Sequence, residues 1–138
     1  MSPTPRNRND AQNFLDEVWG NSPETAFGHL VIDFLSSHTD SVHIPFAQFL
    51  EIARANKIQN NDVVLNIVNY LTGANLHLLR TSFEYIDGET VEPLDVLQVK
   101  AAQQFRVNPI TGDVDEAVGD KIFVYFVPTD LAKEVLPQ

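Results

Sequence analysis

Residues 42–86 read VHIPFAQFLEIARANKIQNNDVVLNIVNYLTGANLHLLRTSFEYI, and the order of patterns in them decides the fold. Ser41 to Ile44 alternates polar and apolar side chains and suits a short strand. Pro45 opens a helix with Phe46, Phe49, Leu50 and Ala53 on its inner face, ending near Asn56-Lys57. Asn60 or Asn61 caps the next helix, lined on one side by Val64, Ile67, Val68 and Leu71 and stopped by Gly73. From Leu76 to Ile86 the pattern changes to period two, with Leu79, Thr81, Phe83 and Tyr85 set against Arg80, Ser82 and Glu84. Leu78-Leu79 breaks that alternation, as a bulge or a buried strand entry would.

Upstream, residues 1–8 read as a flexible tail, and Asn9 or Asp10 caps a first helix carrying Phe14, Leu15, Val18 and Trp19 on one face. Gly20 ends it in a left-handed conformation. Ser22-Pro23-Glu24 is a second helix start: a hydroxyl cap, a proline at the first helical position, then an acid favoured by the helix dipole. Phe27, Leu30, Val31, Phe34 and Leu35 follow at spacings of three and four, so that helix packs inward.

Downstream, Asp87-Gly88 is a turn, and Glu92-Pro93 predicts a helix from Pro93 to about Gln104, anchored by Leu94, Leu97 and Ala101. Asn108 to Asp113 is rich in turn formers and predicts an ordered loop. Lys121 to Val127 is β-branched and aromatic, matched to pair antiparallel with the 76–86 strand, and Thr129 or Asp130 caps a closing helix after Pro128.

The 138 residues fit one domain, 9–138, with 43% hydrophobic and 20% charged residues. Without cysteine there is no disulfide framework, thiolate metal site or cysteine nucleophile, which fits a reducing compartment. Met1 to Asp10 holds no apolar run of the kind a secretory signal needs. The longest apolar run, Ile122 to Val127, is far short of the roughly 20 residues of a membrane span, so the expectation is a soluble cytoplasmic protein. The formal net charge is −10, unevenly placed. Residues 42–86 balance Glu51, Asp62 and Glu84 against Arg54, Lys57 and Arg80, whereas 87–120 set eight acids against Lys100 and Arg106. Such a chain repels nucleic acid at long range, because that binding draws on Lys and Arg at phosphates.

Helix 23–36, strand 42–44, helices 45–56 and 61–72, and strands 76–86 and 121–127 together resemble a winged helix-turn-helix. The resemblance covers about two thirds of the chain and rests on element order. It implies an α+β domain, with helices packed on a small antiparallel sheet and a helical insertion, Asp87 to Asp120, in place of the wing. It also implies that the outer face of the 61–72 helix, with Asp62, Asn66, Asn69 and Tyr70, is the recognition surface. These positions carry no cation. Asparagine can bond adenine, so the DNA-binding alternative would use Asn66 and Asn69 with Arg54, Lys57 and Arg80 at phosphates, in a dimer joined through the first or the closing helix.

No catalytic constellation emerges. His38, Asp40 and His43 share a loop, where solvation explains them as well as metal binding does. Asp113, Asp115 and Glu116 resemble the start of a calcium loop, but Ala117 and Val118 stand where a ligand and glycine are needed. Neither metal nor cofactor is expected. The favoured reading is a non-enzymatic regulatory or protein-interaction module that offers Asp62, Asn66, Asn69, Tyr70, Asp113, Asp115 and Glu116 to a protein partner.

Overall fold

The structure is a computed structural model and describes residues 4–73 and 76–137. The chain is α+β, and its described residues form six helices and a four-stranded antiparallel sheet of order β1-β4-β2-β3. Its elements are α1 (Arg8–Trp19), α2 (Pro23–Ser36), β1 (Ile44–Pro45), α3 (Phe46–Ala55) and α4 (Asn61–Thr72). Then come β2 (Leu79–Asp87), β3 (Thr90–Leu94), α5 (Val96–Phe105), a 3₁₀ turn at Val118–Lys121, β4 (Ile122–Pro128) and α6 (Asp130–Val135).

Most helix ends follow the local chemistry of the sequence. The Ser22 hydroxyl accepts from the Thr25 N–H with Pro23 at the first helical position, and Asn60 caps α4 through the Asp62 N–H. Thr129 caps α6, and Gly20 ends α1 at φ 62°. The cap of α1 is Asn7, not Asn9 or Asp10, because the Asn7 side chain reaches the Asp10 N–H. Of the expected tail 1–8, residues 1–3 lie outside the described residues, and Arg8 already belongs to α1.

Two compact units result: Met1–Arg80 with Phe126–Gln138, and Thr81–Tyr125. In the first, α1, α2, α3 and α4 enclose Leu15, Phe27, Ile32, Leu35, Phe49 and Ile67, all fully buried. Each such side chain stabilises the fold by about 1.5–3 kcal/mol. Phe49 also meets Phe126 of β4 edge-on, with centroids 5.6 Å apart. The face of α1 differs from the expected one: Ala11 and Leu15 are buried, while Val18 is exposed. The α1–α2 contact is close at Gly28, where an added Cβ would lie 2.8 Å from Leu15 Cδ1.

The second unit has a smaller core, with Tyr85, Leu94 and Val99 packed by Phe83 and Ile122. Here two expectations are corrected. The segment after Asp87-Gly88 is a strand: β3 pairs antiparallel with β2, from Phe83↔Leu94 to Asp87↔Thr90, across a two-residue turn with Gly88 at φ 62°. Pro93 sits in an edge strand, where its missing N–H leaves no bond unmade. The helix starts three residues later, at Val96, because Asp95 and Gln98 form a reciprocal capping box. That shift rotates the inward face to Val99 and Ala102; Leu97, expected inside, is 77% exposed. The expected strand at Ser41 to Ile44 shrinks to Ile44–Pro45, with Val42 and His43 exposed.

Candidate interaction surfaces

On α4, Val63, Val64, Ile67, Val68 and Leu71 turn inward, so the opposite face shows Asp62, Leu65, Asn66 and Asn69. Two of the expected contact residues there are already engaged. Asn66 Nδ2 donates to Glu24 Oε2 at 3.2 Å, tying α4 to the start of α2. The half-buried Tyr70 meets Trp19 edge-on at 6.0 Å, and burial, reinforced by the Glu17 carboxylate, raises its phenol pKa. Asp62 and Asn69 remain exposed. The structure therefore gives Tyr70 and Asn66 packing and tethering contacts, and no cation stands among the exposed α4 positions.

The expected phosphate contacts do not form one group. Arg54 and Lys57 line a cleft of about 340 Å³ with Leu50, Ile58, Gln59 and Asn61, at the turn between α3 and α4. Arg80 lines another, of about 290 Å³, with His77, Thr129, Asp130 and Lys133. The first cleft lies at the start of α4. The second follows its end, where the Leu78 N–H bonds to the Leu71 carbonyl. A helix of 12 residues spans about 18 Å, so the two pairs of cations stand well apart.

In the second unit the three expected acids have different roles. Asp115 Oδ2 accepts from Lys121 Nζ at 2.7 Å, while its Oδ1 accepts from the Ala117 N–H at 3.0 Å. The Lys121 hydrogen bond, with that of the Ala117 N–H, holds the Asp115 carboxyl below the usual carboxylate range. The same hydrogen bond raises the Lys121 pKa. Lys121 also stands 3.6 Å from Asp87, which accepts from the Tyr85 hydroxyl, and that hydroxyl accepts from Asn108 Nδ2 at 3.0 Å. Burial and the Asp87 hydrogen bond push the Tyr85 pKa up. Asp115 is thus an internal strut. Glu116 pairs with Arg106 at 3.2 Å with both side chains solvated, and Asp113 alone of the three leaves its carboxylate exposed without a partner among the described residues.

The 108–113 loop has the expected order. Asn108 Oδ1 accepts from the Ile110 and Thr111 N–H groups, the Asn108 N–H donates to the Asp113 carbonyl, and Val107 bridges Val114. Sequence reasoning missed the apolar surface of this unit. Among the described residues, seven of the ten exposed large apolar side chains lie on residues 81–125, and Val18, Val42 and Leu65 lie outside it. The Asp95-x-x-Gln98 capping box was the readable signal, since it sets which side of α5 faces out.

Among the described residues no group of three His, Asp or Glu side chains is placed to hold a metal, and no helix is long and apolar enough to cross a membrane. His38 stacks on Phe34 at 4.1 Å, and its Nδ1 lies 2.7 Å from the Phe34 carbonyl oxygen. No family model matches the chain, and neither do any of the curated proteins or solved structures compared with it.

Proposed function

We propose that the chain is a non-enzymatic regulatory or protein-interaction module of winged-helix type, working in the cytoplasm. The observation that carries this reading is the concentration of exposed apolar side chains on residues 81–125, whose nine acids and three bases leave a net charge of −6. Exposed apolar side chains gathered on a small unit support an interaction role. The winged-helix assignment draws support from the α3–α4 pair and from the sheet order, in which β4 lies between β1 and β2. The engaged Asn66 and Tyr70 weigh against base reading by α4.

The test has two arms. Cross-linking of the tagged full chain in its native cells should yield one reproducible protein partner, joined through residues 81–125. Fluorescence anisotropy with a random duplex pool and with the gene's own upstream DNA should show no specific binding tighter than about 10⁻⁶ M at physiological salt. Saturable, sequence-dependent binding in the nanomolar range would replace this reading with a DNA-binding regulator acting as a dimer. That second reading is favoured by one observation: Arg54 and Lys57 share a cleft at the helix-helix turn and form no ion pair among the described residues.

A further inference from the structure

We infer that the cleft at the turn between α3 and α4 binds a small phosphate-bearing molecule, its dianion held between Arg54 and Lys57. This goes beyond the protein-interaction reading and stands whether or not a protein partner is found. The turn itself sets the two cations. The Ile58 N–H donates to the Ala53 carbonyl at 2.9 Å and the Lys57 N–H to the Arg54 carbonyl at 3.1 Å, the paired bonds of a Schellman helix end. That motif holds Lys57 at φ 61°, a left-handed position that glycine or asparagine fills at the least cost. Lysine is a strained choice there. What it adds is a second cation, three residues after Arg54 and on the same cleft.

The cleft, of about 340 Å³, is lined by Leu50, Arg54, Lys57, Ile58, Gln59 and Asn61: two cations, two carboxamides and no acid. None of these four polar side chains has a hydrogen bond or ion pair among the described residues. Glu51 and Asp62 are close in sequence and exposed, but neither lines the cleft. Two unpaired cations match the two charges of a phosphate, which they would hold through charge-assisted hydrogen bonds. Leu50 and Ile58, both half-buried, offer an apolar wall to an organic part, and the volume lies within the range of about 300–1,000 Å³ usual for small-molecule sites. A nucleic acid fits less well. Its further phosphates would run along a chain of net charge −10, and the next cations, Arg80 and Lys133, line a separate cleft that also holds Asp130.

The probe is phenyl phosphate, compared at constant ionic strength with inorganic phosphate, phenol and a short random-sequence DNA duplex. Spectra of the isotope-labelled full chain, including the side-chain signals of Arg54, Gln59 and Asn61, should shift saturably at residues 50–61 with phenyl phosphate. Half-saturation is expected at about 1 mM or below, and phenol should leave the spectra still. Tighter binding of phenyl phosphate than of inorganic phosphate assigns an organic monoester, and equal binding assigns the free ion; both keep the site. Arg54→Gln and Lys57→Asn should each weaken binding by about tenfold, and Lys57→Arg should keep it. Lys57→Asn should melt no lower than the unaltered chain, because asparagine suits the left-handed backbone. Shifts centred elsewhere, shifts reproduced by sodium chloride, binding untouched by Lys57→Asn, or a duplex bound more tightly than phenyl phosphate would each overturn the proposal. The spectra of the unaltered chain decide even where a variant folds poorly.

Discussion

The Trp19 and Tyr70 rings meet edge to face, with centroids 6.0 Å apart and planes at 88°. This contact joins the last turn of α1 to the last turns of α4, and the Trp19 indole N–H in it is buried without a hydrogen-bond partner among the described residues. Tyr70→Ala should lose about 2 kcal/mol, combining an aromatic pair worth about 1 with lost burial. Trp19→Phe should be nearly neutral, within about 0.5 kcal/mol, because an unmet donor leaves with the extra ring. Urea unfolding of both variants checks the pair. A large loss for Trp19→Phe would mean that the N–H is bonded.

Gly28 admits Leu15 at a distance that a methyl group would block, with both Leu15 methyls under 3.0 Å from the added carbon. Alanine gains about 0.5–1 kcal/mol of helix propensity, but overpacking costs about 1–3. Because Leu15 is fully buried, Gly28→Ala should be destabilising by about 1 kcal/mol net. Pairing it with Leu15→Val should recover part of that loss, a non-additivity read by a double-mutant cycle.

Asp115 carries a testable pH dependence. Its carboxyl ionises more readily folded than unfolded, so the unfolded chain binds more protons across the acid range. The contribution is therefore complete above the ordinary carboxylate value of about 4 and is lost as pH falls through the lower folded value. Chemical denaturation from neutral to acid pH should show a shallower fall for Asp115→Asn than for the unaltered chain. Lys121 has the opposite sign: its raised pKa gives stability present below the usual lysine range and lost as pH climbs through the folded value. Equal acid slopes in chain and variant would reject Asp115 as a strut.

Asp113 should act through its field alone. Asp113→Lys is expected to leave stability within about 0.5 kcal/mol and, where the cross-linked protein partner is basic, to slow its association several-fold at low salt, the difference fading as salt rises. Stopped-flow fluorescence measures it. Rates unchanged at every salt concentration would leave that carboxylate a solvating group.

What the sequence made legible was the chemistry confined to a few residues. Ser22-Pro23, Gly20, Asn60 and Gly73 each mark a boundary through bonds made within one turn, and the structure keeps them. Pro93 was ambiguous, because proline suits a helix start and an edge strand alike, and the Asp95–Gln98 box settled the competition three residues downstream. The whole inward face of α5 turned on that shift. The surfaces were less legible still. Asn66 is tied to Glu24 across 42 positions, and Tyr70 packs on Trp19, so neither engagement could be read locally. Asp113, Asp115 and Glu116 looked alike as an acidic run, yet only tertiary placement made one a strut, one a solvated pair and one a free charge.

Both margins of the sheet are blunt. At one margin stands β1, two residues long; at the other stands β3, whose Pro93 has no N–H to offer. The β3 margin lacks the long row of open backbone groups on which chains join strand to strand into fibres or swapped pairs. Pro93 therefore guards the β3 margin against strand-to-strand growth. Substituting Pro93 with valine would reopen that margin, and shortened lag times in a dye-binding fibril assay would reveal it.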